Sequence, residues 1–359
     1  MPTRPWLRWL VPLAAVLAIA ATGLVAGNAS ADEKLPPRSA EQLLVDLQQA
    51  KLDGFSGTVQ QSADLGIPAL PGMGEHGADF SSLISGTHTL RVAHASPSKS
   101  KVALLGDLSE SSVIRNGSDL WTWSSSDNTV THATIDPSDH DAKDRQLPAD
   151  APKTPQEAAS RFLAAVGPTT QVSVATDTTV AGRAAYELVL RPEQTGSLLS
   201  SVRIAVDGAE HVALRVQVFA GGRPEPVAAI GFTEVDFATP GDDEFAFAPP
   251  EGAKVTEVTP EDHAEKSTAD EVEADEPTVV GEGWTTVVVA EVPADESTTP
   301  DAEGEGPDLQ AYLAQLPKVS GTWGSGRLLA GTAFSVVITD DGRVAAGAVG
   351  PELLYDALG

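Results

Sequence analysis

A chain of 359 residues with 23 basic and 51 acidic side chains, a formal net charge of −28 and no cysteine excludes several classes of protein at once. So acidic a surface repels nucleic acid and anionic membranes, and the lack of thiols rules out disulfides, thiolate metal sites and a lipid-modified N-terminal cysteine. The length suffices for one large or two ordinary domains with a substantial core.

The N-terminus carries Arg4 and Arg8, an apolar run from Leu10 to Gly27, and the small-residue ending Asn28-Ala29-Ser30-Ala31. This is a signal-peptide pattern with cleavage after Ala31, and export follows. Retention of the run as an N-terminal anchor is the alternative, because it is long for a signal peptide.

Ser39 to Asp53 reads as an amphipathic helix. Ser39 is the N-cap, Gln42 sits at the capping-box position, and Ala40, Leu43, Leu44, Leu47 and Ala50 recur at helical spacing before Gly54. Phe55 to Gln61 alternates as a strand, and Ser62 to Ser82, with GIPALPGMGEHG, reads as a long loop. Strands are expected at Gly86 to Ala93 and Lys99 to Leu105. A meander then runs from Ser112 to His132, turning at Asn116-Gly117 and again at Ser125 to Asn128. Side chains alternate across a strand, so Trp121 and Trp123 share one face.

A polar connector follows, in which His140 stands among Asp136, Asp139, Asp141 and Asp144. Their spacing matches no calcium loop or zinc site, and the connector reads as solvated, with no metal. Thr154-Pro155-Gln156-Glu157 opens a second helix, whose stripe is Ala158, Ala159, Phe162, Leu163 and Val166 and whose stop is Gly167. Strands return at Gln171 to Thr176, Ala184 to Leu190, Ser201 to Val206, His211 to Ala220 and Val227 to Phe237, and Phe245 to Pro250 closes the sheet.

Glu251 to Asp308 holds 18 acidic residues against Lys254 and Lys266, and reads as solvated and extended. Beyond it lie a strand at Trp284 to Val292, a helix at Asp308 to Leu316, a strand pair from Arg327 to Val349 turning at Asp340-Asp341-Gly342, and a helix at Pro351 to Leu358. These residues form either an appended module or an extension of the main sheet. The expected organisation is a signal peptide at 1–31, a main domain at 32–250, an acidic linker at 251–280 and a C-terminal extension at 281–359.

The order of a helix, GFSGTVQQ at 54–61, GTHTLRV at 86–92, VIRNGSDLWTW at 113–123, a mid-chain helix and FAFAPPEGAKV at 245–255 resembles the LolA-like superfamily of lipoprotein carriers. That superfamily includes RseB-type envelope regulators and sporulation-associated lipoproteins. The Ala-, Gly- and Asp-rich composition, with arginine exceeding lysine, points to a high-GC, actinobacterial-type member.

The resemblance implies a mainly β (α+β) fold: a curved antiparallel sheet forming an incomplete β-barrel, closed by helices, with an apolar interior for acyl chains. Phe55, Val59, Leu90, Val92, Trp121, Trp123, Phe162 and Leu163 are the candidates to line it. Strand parity groups Phe55 with Val59 and Trp121 with Trp123, which parity faces inward is open, and each position reads equally as plain core. Arg91 stands nearest to the arginine that in the carriers helps hold the helical cover closed.

Two departures are the missing cysteine and the C-terminal extension. The implied function is an exported, non-catalytic carrier or sensor whose partner is a lipid or acyl chain. The alternative is an RseB-like regulator with a membrane-protein partner. No cofactor is implied. No Gly-x-Ser-x-Gly elbow, HExxH, P-loop or nucleotide-binding glycine pattern occurs, and the seven histidines are scattered, so the sequence points away from an enzyme.

Overall fold

The computed structural model describes residues 35–66, 80–135, 152–167, 169–258, 277–291 and 313–359. The chain divides into two compact units, Met1–Pro37 and Arg38–Gly359, and every element below belongs to the second. The whole of the expected signal segment, most of the Gly- and Pro-rich loop and most of the His140 connector lie outside the described residues.

Helix α1 (Ala40–Gln49) starts as its sequence dictates: Ser39 accepts from the Gln42 backbone and the Gln42 side chain accepts from the Ser39 N–H. Leu43 and Leu47 are fully buried. The helix stops four residues earlier than expected, at an extended Ala50. One carbonyl of its last turn, that of Leu47, is taken by the side-chain amide of Gln156 at 3.1 Å, which satisfies a group that another helical turn would otherwise have bonded.

Thirteen strands form one large, curved sheet that does not close into a barrel. They are β1 (Phe55–Ala63), β2 (Gly86–Ser96), β3 (Lys99–Leu105), β4 (Glu110–Asn116), β5 (Asp119–Ser124), β6 (Thr129–Thr134), β7 (Thr170–Val174), β8 (Thr178–Val180), β9 (Arg183–Pro192), β10 (Leu199–Asp207), β11 (Ala213–Ala220), β12 (Ala228–Asp236) and β13 (Lys254–Val258). The order is β13-β6-β5-β4-β3-β2-β1-β12-β11-β10-β9-β7, with β8 also on β9. Each neighbouring pair is antiparallel except β13 with β6. That exception corrects the reading of 251–280 as linker throughout: Lys254 to Val258 extend the sheet as an edge strand, and 259–276 lie outside the described residues.

Helix α2 (Pro155–Val166) lies over β11 and β12. Thr154 caps it, accepting from the Glu157 N–H at 3.1 Å, and Pro155 fills the first turn. Among the described residues no helix is long and apolar enough to cross a membrane.

The C-terminal residues build a sheet of their own, which decides for an appended module over an extended main sheet. Its strands are β14 (Thr278–Val280), β15 (Val287–Glu291), β16 (Lys318–Gly321), β17 (Gly324–Ala330), β18 (Ser335–Thr339) and β19 (Arg343–Gly347), in the order β14-β15-β19-β18-β17-β16. Helix α3 (Pro351–Leu358) packs on it around Val287, Trp323, Val337, Ala345, Val349, Leu354 and Leu358. Trp284 belongs to a 3-10 turn at Gly283–Thr285 that precedes β15. Of the helix expected at Asp308 to Leu316, residues 313–316 are described; 313–315 are helical and Leu316 is a bend.

Among the described residues the module meets the main sheet at three places. Leu198 N–H donates to the Ala348 carbonyl at 2.9 Å, Thr332 N–H donates to the Leu65 carbonyl at 2.8 Å, and Leu65 packs with Ala220, Val227 and Ala333. The third is Trp284, whose indole N–H donates to Thr170 Oγ1 at 2.8 Å and whose ring meets Phe162 edge-on at 5.2 Å.

Candidate functional site

Residues paired across an antiparallel sheet share a face, so register assigns every side chain to one side or the other. Val59 pairs with Leu90 and with Phe232, Gln61 with Ile230, and Ile230 with Val216. These side chains, with Phe55 four residues from Val59 along β1 and Val92 two residues from Leu90 along β2, face α2. The next row is one residue out of phase: Thr58 pairs with Arg91, Arg91 with Ala103, Ala103 with Ser112, and Ser112 with Trp123. Trp121, Trp123 and Arg91 therefore lie on the opposite face.

This corrects two expectations. Trp121 and Trp123 do not join Phe55 and Val59 around one hollow; they pack beneath Phe247, at 5.5 and 6.3 Å between ring centres. The closing segment is held over that face by ion pairs from Lys99 to Asp242 and from Lys101 to Glu244, at 2.6 and 3.1 Å, and by the completely buried Phe245. Arg91, exposed on the same outer face, is on the wrong side of the sheet to hold α2 closed.

On the inner face, Val59, Leu90 and Val92 are buried to 4% exposure or less and form core beneath the helix. Leu163 is half-buried on α2. Phe55 and Phe162 are the two candidates that reach open space, and they reach different clefts. Phe55 stacks on His94 and meets Phe232 edge-on, and lines a cleft of about 300 Å³ with Val212, Phe237 and Glu157. Phe162 lines a larger groove, about 480 Å³, between α2 and strands β1, β11 and β12.

The larger groove is built from small and branched residues. Val216 and Val218 of β11 and Ala228 and Ile230 of β12 make the floor, with Ala158 and Phe162 of α2 above and Leu65 and Leu83 at the side. Its polar members include the amide of Gln61 and the guanidinium of Arg161, which is exposed and pairs with Glu157 one helical turn away at 2.7 Å. The volume falls within the roughly 300–1,000 Å³ common to small-molecule sites. Such walls shelter hydrocarbon from water.

Helix α2 is fixed above the groove at both ends. Gln156 donates to the Leu47 carbonyl and accepts from the Ala213 N–H at 2.7 Å, tying α1, α2 and β11 together. At the other end Phe162 rests on Trp284. Two groove residues, Phe162 and Leu65, are thus buttressed by the C-terminal module. Among the described residues no group of three or more His, Asp or Glu side chains is placed to hold a metal ion.

Comparison with known proteins adds the following. No protein-family model and no curated protein matches the chain. A chain of the Pseudomonas aeruginosa MucA/MucB complex is similar over 89% of this chain and 96% of its own, at 14% identity and a TM-score of 0.43. A LolA superfamily protein from Nitrosomonas europaea is similar over 59% of this chain and 99% of its own, at 11% identity and a TM-score of 0.23. A putative outer membrane lipoprotein-sorting protein domain from Vibrio parahaemolyticus covers 57% and 94% respectively, at 10% identity and a TM-score of 0.22. The similarity is to LolA-like and MucB-type proteins.

The floor residues of the larger groove, Val216, Val218, Ala228 and Ile230, were not among the sequence candidates. Their alternation is visible in HVALRVQVFA and VAAIGFTEVDF. What the sequence lacks is the statement that β12 pairs with β1, which brings these strands under α2 beside Gln61.

Proposed function

We propose that this chain is an exported, non-catalytic binding protein that shelters the hydrocarbon part of a lipid or acylated molecule in the larger groove under α2. The observation that carries the reading is the groove itself: about 480 Å³, floored by Val216, Val218, Ala228 and Ile230 and roofed by Ala158 and Phe162. Each methylene moved out of water contributes about 0.8 kcal/mol, so a chain of roughly fifteen contributes on the order of 12 kcal/mol before ordering costs. No charged anchor is required for capture. Export rests on the sequence pattern ending at Ala31.

Native mass spectrometry of protein extracted gently from several hosts tests the reading. Co-purified acyl-bearing mass, lost when Ala158 is enlarged to Phe, is the expected result. A ligand-free spectrum from every host counts against it.

A second reading, an interaction module for a membrane protein, is favoured by the C-terminal sheet with its own core. Deleting that sheet does not separate the two readings cleanly, because Trp284 and Ala333 support groove residues. Point changes on the exposed edge strand β14, at Val279, do: they leave the groove untouched and weaken only capture of a protein partner.

A further inference from the structure

Among the described residues that line the larger groove, Arg161 is the one that carries a charge. Helical spacing sets it at the rim. Ala158 and Phe162 stand one turn apart over the groove, and Arg161, three residues from Ala158, borders that stripe. Half of its side-chain surface is open to water, with a relative exposure of 50%, so a head group at the mouth can reach it. An arginine stem covers apolar walls while its guanidinium stays in water. Arg161 is also the one basic residue of α2. A charge present only to keep this helix soluble belongs on the face turned away from the sheet, yet this one borders the groove.

Its ion pair leaves the charge usable. Arg161 Nη2 donates to Glu157 Oε1 at 2.7 Å, an exposed pair one turn apart, of the kind that holds weakly in water. Glu157 lines the smaller cleft and not this groove, and its Oε2 accepts from the Lys153 backbone N–H at 3.0 Å. A guanidinium presents five N–H donors in a planar fork that fits a carboxylate or a phosphate. That fork can serve Glu157 and a head group together. In a chain of net charge −28 the surface as a whole repels an anionic amphiphile, and a cation at the mouth offsets that repulsion where the head arrives.

We infer that Arg161 is the head-group residue of this groove, pairing with the carboxylate or phosphate of an acidic amphiphile whose chain lies under α2. This rests on the groove reading above and narrows it to a ligand class. Hydrocarbon burial supplies the hold, and Arg161 sets which end of the molecule stays at the mouth.

The test uses the full chain and three probes with the same alkyl length, dodecanoate, dodecyl phosphate and the uncharged methyl dodecanoate, each competing against a neutral fluorescent acyl probe. What is read is the affinity of each anion relative to the ester, because comparing that ratio between proteins cancels the differing hydrophobicity of the probes. Arg161→Gln is expected to lower the ratio about fivefold, while Arg91→Gln, the same loss of charge on the opposite face of the sheet, leaves it alone. A fall for dodecanoate alone supports a free fatty acid as the source of the head, and a fall for the phosphate alone supports a phospholipid. An unchanged ratio in folded Arg161→Gln, an equal fall in Arg91→Gln, or a wild type that binds the ester and neither anion overturns the inference and leaves the groove reading standing. If no probe binds the wild type, the groove reading falls and the inference falls with it. A wild-type measurement needs no variant: the Arg161 Nε–H signal in NMR should move on adding either anion and stay in place with the ester, and equal movement or none overturns the inference.

Discussion

The imidazole of His132 lies flat on the indole of Trp121, ring centres 3.8 Å apart and planes 12° from parallel, with a carboxylate at each ring nitrogen. Glu257 of β13 is 2.7 Å from Nδ1 and Asp119 of β5 is 2.9 Å from Nε2. Carboxylates only accept, and a neutral imidazole has one N–H, so satisfying both requires the imidazolium. Burial opposes that charge, but the bonds to Asp119 and Glu257 outweigh it and hold the His132 pKa above its ordinary value. The pair matters because the side chains of β13 are otherwise largely exposed: the backbone ladder to β6 and this contact hold the strand.

The folded pKa of His132 is raised, so its stabilisation is fully present below the unfolded value of about 6.5 and is lost as pH rises through the folded value. An NMR titration of the ring should give a midpoint above about 6.5 that Glu257→Gln lowers. Amides of residues 254–258 should exchange faster once His132 is neutral. A midpoint unmoved by Glu257→Gln contradicts the bridge.

Gly57 should not tolerate alanine. An added Cβ would stand 2.4 Å from the Glu234 carbonyl oxygen and 3.1 Å from the Phe232 ring, next to the register shift between Thr58 and Val59. Overpacking of this kind costs about 1–3 kcal/mol. Urea unfolding of Gly57→Ala should show a lower midpoint at an unchanged slope; an unchanged midpoint contradicts the close approach.

Replacing Gln156 by leucine removes one donor and one acceptor at once, stranding the Leu47 carbonyl and the Ala213 N–H. Leu47 and Ala213 are fully buried, and each orphaned group costs about 1–3 kcal/mol. The expected loss is measurable by thermal unfolding, with faster exchange of the Ala213 amide. Wild-type exchange at Ala213 in that variant contradicts the tie.

Trp284 should prove to be the anchor between module and groove. Phenylalanine keeps the ring against Phe162 and loses only the bond to Thr170, a cost of about 0.5–1.5 kcal/mol; alanine loses the packing as well, about 3–5 kcal/mol. The alanine variant should also weaken acyl binding, since Phe162 loses its support. Stability equal in the two variants contradicts the anchoring role.

Much of this architecture was legible in the sequence because its signals are local. The capping box at Ser39 and Gln42, the Thr154-Pro155 helix start and the Asn116-Gly117 turn each act within a few residues. The two glycines of GFSG also had a local mark whose cause is long-range: Gly54 approaches the Thr239 backbone at 2.8 Å from the place a Cβ would take, and Gly57 approaches Glu234. Face assignment was not legible. Alternation shows that Trp121 and Trp123 agree with each other, but a shift of one residue between strands moves a whole row across the sheet. Both faces of this sheet are apolar, one under α2 and the other under Phe245 and Phe247, so hydrophobicity does not choose between them. The parallel β13 was hidden because its acidic, exposed residues look like linker, and its place depends on pairing with a strand more than a hundred residues away.

The central claim is that the groove under α2 is where hydrocarbon binds, and paramagnetic NMR with a doxyl-labelled fatty acid tests it most directly. Methyl signals of Val216, Val218, Ala228 and Ile230 should be broadened away, while those of Ile114 and Ala103, on the opposite face with Trp121 and Trp123, persist. Broadening centred on the face of Trp121 and Trp123, or none at the four floor residues, would contradict it.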